Sequence, residues 1–208
     1  MTRATERVLF AGAAGAIEAV IDSPAGGARG IALVAHPHPL YGGTLDNKVV
    51  QTLAKAFVEL GYAAVRANFR GVGASEGAHD HGEGETDDLA EVARQARARL
   101  GELPLVLAGY SFGAYVQTRL ANRIDPERVV LVAPATGMVS GARSYVAQRV
   151  PADTIVIHGE RDDTVPLANV LDWARPLDLP VVLVPDADHF FHRRLQLLKS
   201  IIKGMWKS

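Results

Sequence analysis

The sequence predicts an α/β fold: a mostly parallel central sheet with helices on both faces. Three observations carry this. Short runs rich in Val, Ile and Leu recur without polar alternation, as in strands buried on both faces. Segments with 3.6-residue periodicity lie between them. The two patterns alternate from about residue 31 to the end of the chain, which implies a parallel sheet with right-handed crossovers.

Residues 6–21 read as an antiparallel hairpin, turning at Gly12, Ala13, Ala14 and Gly15. The apolar stretch over residues 8–17 follows Arg3 and Arg7 as a leader peptide would. Glu6 and Glu18 bracket it, however, and favour two strands of a cytoplasmic protein. The first buried run is 31–35. Val49, Val50, Leu53, Phe57 and Leu60 then form one helical stripe, which Gly61 ends. A run at 62–67 leads into a glycine-rich stretch, 71–85. Thr86, Asp87 and Asp88 suit a helix start, and Leu89, Val92, Ala93, Ala96 and Leu100 follow as its apolar face. Further runs fall at 105–108, 129–133, 154–157 and 181–184, and a last helical stripe runs from Phe191 to Met205. Only about 20 residues separate the runs ending at 133 and starting at 154, too few for a large lid; one short helix is expected there, near 144–150.

With 208 residues, the chain fits one domain, 1–208, large enough to bury a core without staples. A net charge of −1 argues against nucleic acid or anionic lipid as a partner and leaves a small-molecule substrate; oligomeric state stays open. No run reaches the ~18 apolar residues of a membrane helix. Cysteine is absent, which excludes disulfides, thiolate metal sites and a cysteine nucleophile.

In an open parallel sheet, functional groups gather at the C-terminal ends of the strands. After the run at 105–108 comes Gly109-Tyr110-Ser111-Phe112-Gly113, followed by a helix. Strand, sharp turn and helix is the context in which G-x-S-x-G holds a nucleophilic serine; out of it, the same pentapeptide is a turn with an idle serine. After 154–157 come Asp162 and Asp163, and after 181–184 comes His189. A serine hydroxyl needs a base to take its proton, and a carboxylate must orient that base. Ser111 is thus the candidate nucleophile, His189 the base, and Asp162 or Asp163 the acid. His192 competes with His189, but helix packing would turn it away.

The oxyanion of acyl transfer needs backbone donors. The amide of Phe112 is one. In the loop His36-Pro37-His38-Pro39-Leu40-Tyr41 the prolines have no N–H, so His38 is the best second donor and Leu40 the next. His36, Tyr41, Tyr110 and Tyr145 are candidate substrate contacts, with Met138 beside Tyr145. His36 has the alternative role of buttressing its loop. His79, Asp80, His81, Glu83 and Glu85 alternate like metal ligands, but a glycine-rich loop of solvated charges explains them as well, and neither metal nor cofactor is expected. Two rivals remain: a metal-dependent hydrolase built on His36 and His38, for which the chain is short, and a non-catalytic binding protein of the same fold.

GYSFGA at 109–114, NFRGVGASEG at 68–77, HGERDDTVP at 158–166 and ADHFF at 187–191 together resemble the α/β-hydrolase superfamily over about residues 6–205. The resemblance implies that Asp162, first residue of the D-x-x-V-P pattern, is the triad acid and His189 the base. HPHPLYGGTLDNKVV at 36–50 is similar to a narrower group of small lidless bacterial hydrolases, distantly like dienelactone hydrolases and acyl-peptide hydrolases. The chain departs from dienelactone hydrolases in having Ser111 where they carry cysteine, and from esterases in having His-Pro-His-Pro for a His-Gly-rich loop, so no substrate class is carried over. The implied activity is hydrolysis of an ester, thioester or activated amide through an acyl-enzyme.

Overall fold

A computed structural model of the chain describes residues 4–206. In chain order the elements are β1 (Ala4–Gly12), β2 (Gly15–Ser23), β3 (Gly30–Ala35), α1 (Lys48–Glu59), β4 (Tyr62–Ala67), α2 (Glu83–Leu100), β5 (Leu105–Tyr110), α3 (Phe112–Leu120) and β6 (Arg128–Val132). Then follow β7 (Gly137–Val139), β8 (Arg143–Tyr145), β9 (Ile155–Gly159), α4 (Leu167–Ala174), β10 (Val181–Val184) and α5 (Leu195–Met205). Eight strands form one sheet in the order β1-β2-β4-β3-β5-β6-β9-β10. β1 and β2 pair antiparallel, β2 joins β4 antiparallel, and the pairs from β4 through β10 are parallel.

The absence of polar alternation in the apolar runs has the expected cause. Ile31, Leu33, Leu105, Leu107, Val129 and Leu131 face the side covered by α2 and α3. Their neighbours Ala32, Val34, Val106, Ala108, Val130 and Val132 face the side covered by α1 and α5. Because successive side chains of a strand point to opposite faces, burial of both faces demands an apolar residue at every position. Among the described residues no helix is long and apolar enough to cross a membrane.

The starts of α2 and α5 and the segment between β6 and β9 depart from the sequence reading, each for a local reason. α2 starts a turn before Thr86, because the Glu85 carboxylate accepts from the amides of Asp80 (3.0 Å) and Gly82 (2.8 Å) and so caps the earlier turn. α5 starts at Leu195 and not at Phe191, since Phe191 (φ 53°) and Arg193 (φ 60°) adopt left-handed backbone. The helix expected near 144–150 is absent. Gly141 (φ 75°) and Ala142 (φ 56°) turn the chain there, and β7 pairs with β8 in a small hairpin.

Candidate active site

Ser111 sits between the end of β5 and the start of α3, with φ 55° and ψ −118°. A non-glycine residue in this conformation costs on the order of 1–3 kcal/mol and persists only where its surroundings enforce it. They do so through tight packing: a Cβ at Gly109 would lie 2.5 Å from the Gly113 carbonyl, and one at Gly113 would lie 2.4 Å from the His36 carbonyl. Larger residues would push α3 off the sheet. The Ser111 amide donates to Val132 (2.9 Å) and its carbonyl accepts from Ala135 (3.2 Å), so β6 clamps the turn as well.

The three residues named from the sequence meet at the C-terminal rim of the sheet. His189 Nε2 is 3.0 Å from Ser111 Oγ, and His189 Nδ1 is 2.7 Å from Asp162 Oδ2. All three side chains are nearly buried. The other carboxylate oxygen, Asp162 Oδ1, accepts from the amides of Thr164 (2.9 Å) and Val165 (2.8 Å), which fixes the carboxylate plane. A carboxylate only accepts, so Nδ1 carries the proton and Nε2 presents its lone pair to the serine. Asp163 is exposed and Thr164 Oγ1 donates to it, so it takes no part in this chain of contacts. His192 precedes α5 and does not lie within it; it is exposed and pairs with Asp188 at 2.6 Å, away from Ser111.

His36 lies in this region but does not face a substrate. It is fully buried; its Nδ1 lies 2.6 Å from the Pro37 carbonyl and its Nε2 accepts from the Phe69 amide at 2.9 Å. Both nitrogens are engaged, so the residue is a buttress between two loops, and neither a substrate contact nor half of a His36/His38 metal site. Burial pushes its pKa down to about 4, which keeps it neutral. The unfolded chain binds a proton with the ordinary histidine pKa near 6.5. Stability is therefore fully present above pH 6.5 and is lost as pH falls from there towards 4, by on the order of 3 kcal/mol from this residue. Urea unfolding of the wild type at pH 7 and pH 4.5 should show that loss, and His36→Gln should shrink the difference between the two pH values. His38, also buried and also lowered to about 4 by that burial, acts in the same direction.

His38 accepts the Leu40 amide on its Nδ1 at 3.2 Å, which removes Leu40 from the list of oxyanion donors. Among the described residues the amides of His38 and Phe112 donate to no protein acceptor, and Phe112 opens α3, where N–H groups are unpaired. Tyr110 corrects another expectation: it is fully buried, and its hydroxyl donates to the His189 carbonyl at 2.9 Å. Its phenol pKa is raised by burial, so it is a permanent donor that positions His189 and not a substrate contact. Tyr41 is exposed and Tyr145 half-buried; both line clefts at the site. Met138 is exposed on the β7–β8 hairpin and lines neither cleft.

The cleft at Ser111 and His189 has a volume of about 220 Å³ and includes Pro37, His38, Tyr41 and Arg143 in its walls. A second cleft of about 560 Å³ shares His38, Tyr41 and Arg143 with it and extends towards Tyr115, Tyr145 and His79. Between β6 and β9 stands only the β7–β8 hairpin, so no lid domain covers either cleft. Of the candidate metal ligands, the two glutamates have other partners. Glu85 caps α2 and meets His79 Nδ1 at 2.7 Å, and Glu83 pairs with Arg119.

Two contributors were missed by the sequence reading. His158 is fully buried, meets the Val165 carbonyl at 3.0 Å and lies 3.6 Å from Asp162, so it props the loop that holds the carboxylate. Its place directly after a buried run was the available signal. Arg143 had none, being one of 22 basic residues on an irregular insert.

Residues 40–155 match the family model described as serine aminopeptidase, S33. An α/β serine hydrolase without a lid from Xanthomonas campestris superposes with a TM-score of 0.88 at 37% identity, over 99% of this chain and 94% of that one. An α/β serine hydrolase homologue from Coxiella burnetii gives a TM-score of 0.85 at 36% identity, covering 97% of each chain. An uncharacterized protein of Rickettsia prowazekii is 30% identical, across 94% of this chain and 86% of its own length. With the strained serine turn, the parallel sheet and the N-terminal hairpin, these likenesses place the chain in the serine aminopeptidase S33 family of α/β serine hydrolases.

Proposed function

We propose that this hydrolase cleaves a small ester, thioester or activated amide through an acyl-enzyme on Ser111. The reading rests above all on the unbroken path from Asp162 through His189 to a serine held in strained backbone at a helix N-terminus. His189 Nε2 takes the Ser111 proton as Oγ attacks the carbonyl carbon, and the oxyanion is met by the amides of Phe112 and His38. His189 then protonates the leaving group as its bond to carbon breaks. A water molecule, deprotonated by the same nitrogen, attacks the acyl-enzyme; the bond from the acyl carbon to Oγ breaks, His189 returns the proton to Ser111, and the acid leaves. These steps need no cofactor.

The peptidase activity in the family's description is a weaker reading for this chain. An aminopeptidase must hold the ammonium group of its substrate, and among the described residues no Asp or Glu lines either cleft. The absence of a lid suits small acyl groups or the exposed end of a larger molecule. A fluorophosphonate probe should label the protein once, with mass spectrometry locating the adduct on Ser111 and His189→Ala slowing the labelling. An adduct on any other residue would overturn the assignment.

A further inference from the structure

We infer that the substrate carries an anionic group, a carboxylate or a phosphate, and that Arg143 is the residue that binds it. The inference rests on the Ser111 reading and adds the charge of the substrate to it. Arg143 stands on β8 and lines both clefts, including the one that holds Ser111 and His189. Its guanidinium lies over the Tyr41 ring at 4.1 Å. Nε and Nη2 donate to the Ser140 carbonyl at 3.1 and 2.8 Å. The Tyr145 hydroxyl is a further hydrogen-bonding neighbour. All these partners are neutral, so they orient the head without cancelling its charge.

No carboxylate lies within ion-pair distance of Arg143 among the described residues. The second guanidinium on the larger cleft, Arg119, is different, since Glu83 pairs with it. The remaining titratable groups that face the two clefts are histidines and tyrosines, so the positive charge of Arg143 is uncompensated there. A half-buried guanidinium has lost part of its hydration and gains most from a carboxylate or phosphate, whose oxygens match its fork of donors. Stacking on Tyr41 reduces the side-chain freedom that binding would otherwise cost.

Two matched ester pairs test this. One puts the charge on the acyl side, p-nitrophenyl hydrogen glutarate against p-nitrophenyl valerate; the other puts it on the leaving group, 4-acetoxybenzoate against phenyl acetate. In one pair the charged ester should be favoured at least tenfold in kcat/KM, with the preference shrinking as ionic strength rises. Arg143→Met should lower the charged-to-neutral ratio at least tenfold and Arg143→Lys should retain part of it. Competition separates the two sources, stronger inhibition by inorganic phosphate pointing to a phosphate and stronger inhibition by glutarate to a carboxylate. Turnover of the neutral esters with no charge preference, and a ratio unmoved in Arg143→Met, would overturn the inference while leaving the serine mechanism standing. If no ester is turned over, calorimetric titration with glutarate and with phosphate decides. Saturable binding weakened tenfold in Arg143→Met supports the assignment; equal binding, or none, refutes it.

Discussion

Replacing Ser111 with alanine is expected to lower kcat on a p-nitrophenyl acyl ester by about 10⁴- to 10⁶-fold, with the fold intact. The hydroxyl is the attacking atom, and neither His189 nor the loop amides substitute for it. Alanine tolerates φ 55° no better than serine does, so the strain at the turn stays and stability should move little. Ser111→Gly separates the two effects. It should be equally inactive, yet more stable by about 1 kcal/mol, because glycine adopts this backbone without a steric penalty. Steady-state assays and urea denaturation of both variants check this; near-normal turnover by Ser111→Ala would remove the serine from the mechanism.

The second large effect is expected at Asp162→Asn, a loss of about 10⁴-fold in kcat. The amides of Thr164 and Val165 converge on one carboxylate oxygen and would hold the oxygen of an asparagine in the same place. The new NH₂ group then faces His189 Nδ1, which can only accept from it. The imidazole is driven to the tautomer with its proton on Nε2, where it points at Ser111 and cannot act as a base. Asp163→Asn is the matched control, because that carboxylate is exposed and has no contact with His189; it should keep activity within a few-fold. If the two variants lose activity equally, the assignment of the acid is wrong.

Much of this site was legible in one dimension, for reasons particular to each residue. Ser111 could be found because its chemistry requires a local geometry. A serine pinned between a strand and a helix that touch needs small residues two places away on each side, and Gly109 and Gly113 announce that spacing. Asp162 could not be separated from Asp163 by spacing alone; resemblance favoured Asp162, and the fold shows which carboxylate reaches His189. The roles of His36 and Tyr110 were not readable either. A histidine just before a proline and a tyrosine beside the serine look like substrate contacts until their polar atoms are followed to the Phe69 amide and the His189 carbonyl.

The sequence by itself determined the architecture: apolar runs buried on both faces, helical stripes between them, and chemistry after the strands. These are local patterns, set by the period of each element and the solvent on each side of it. Only the tertiary structure decided what depends on contacts across many residues. Tyr41 and Arg143 stack from segments a hundred residues apart, and no periodicity records that contact. The charge and shape of the clefts follow from such pairings, and with them the choice of substrate.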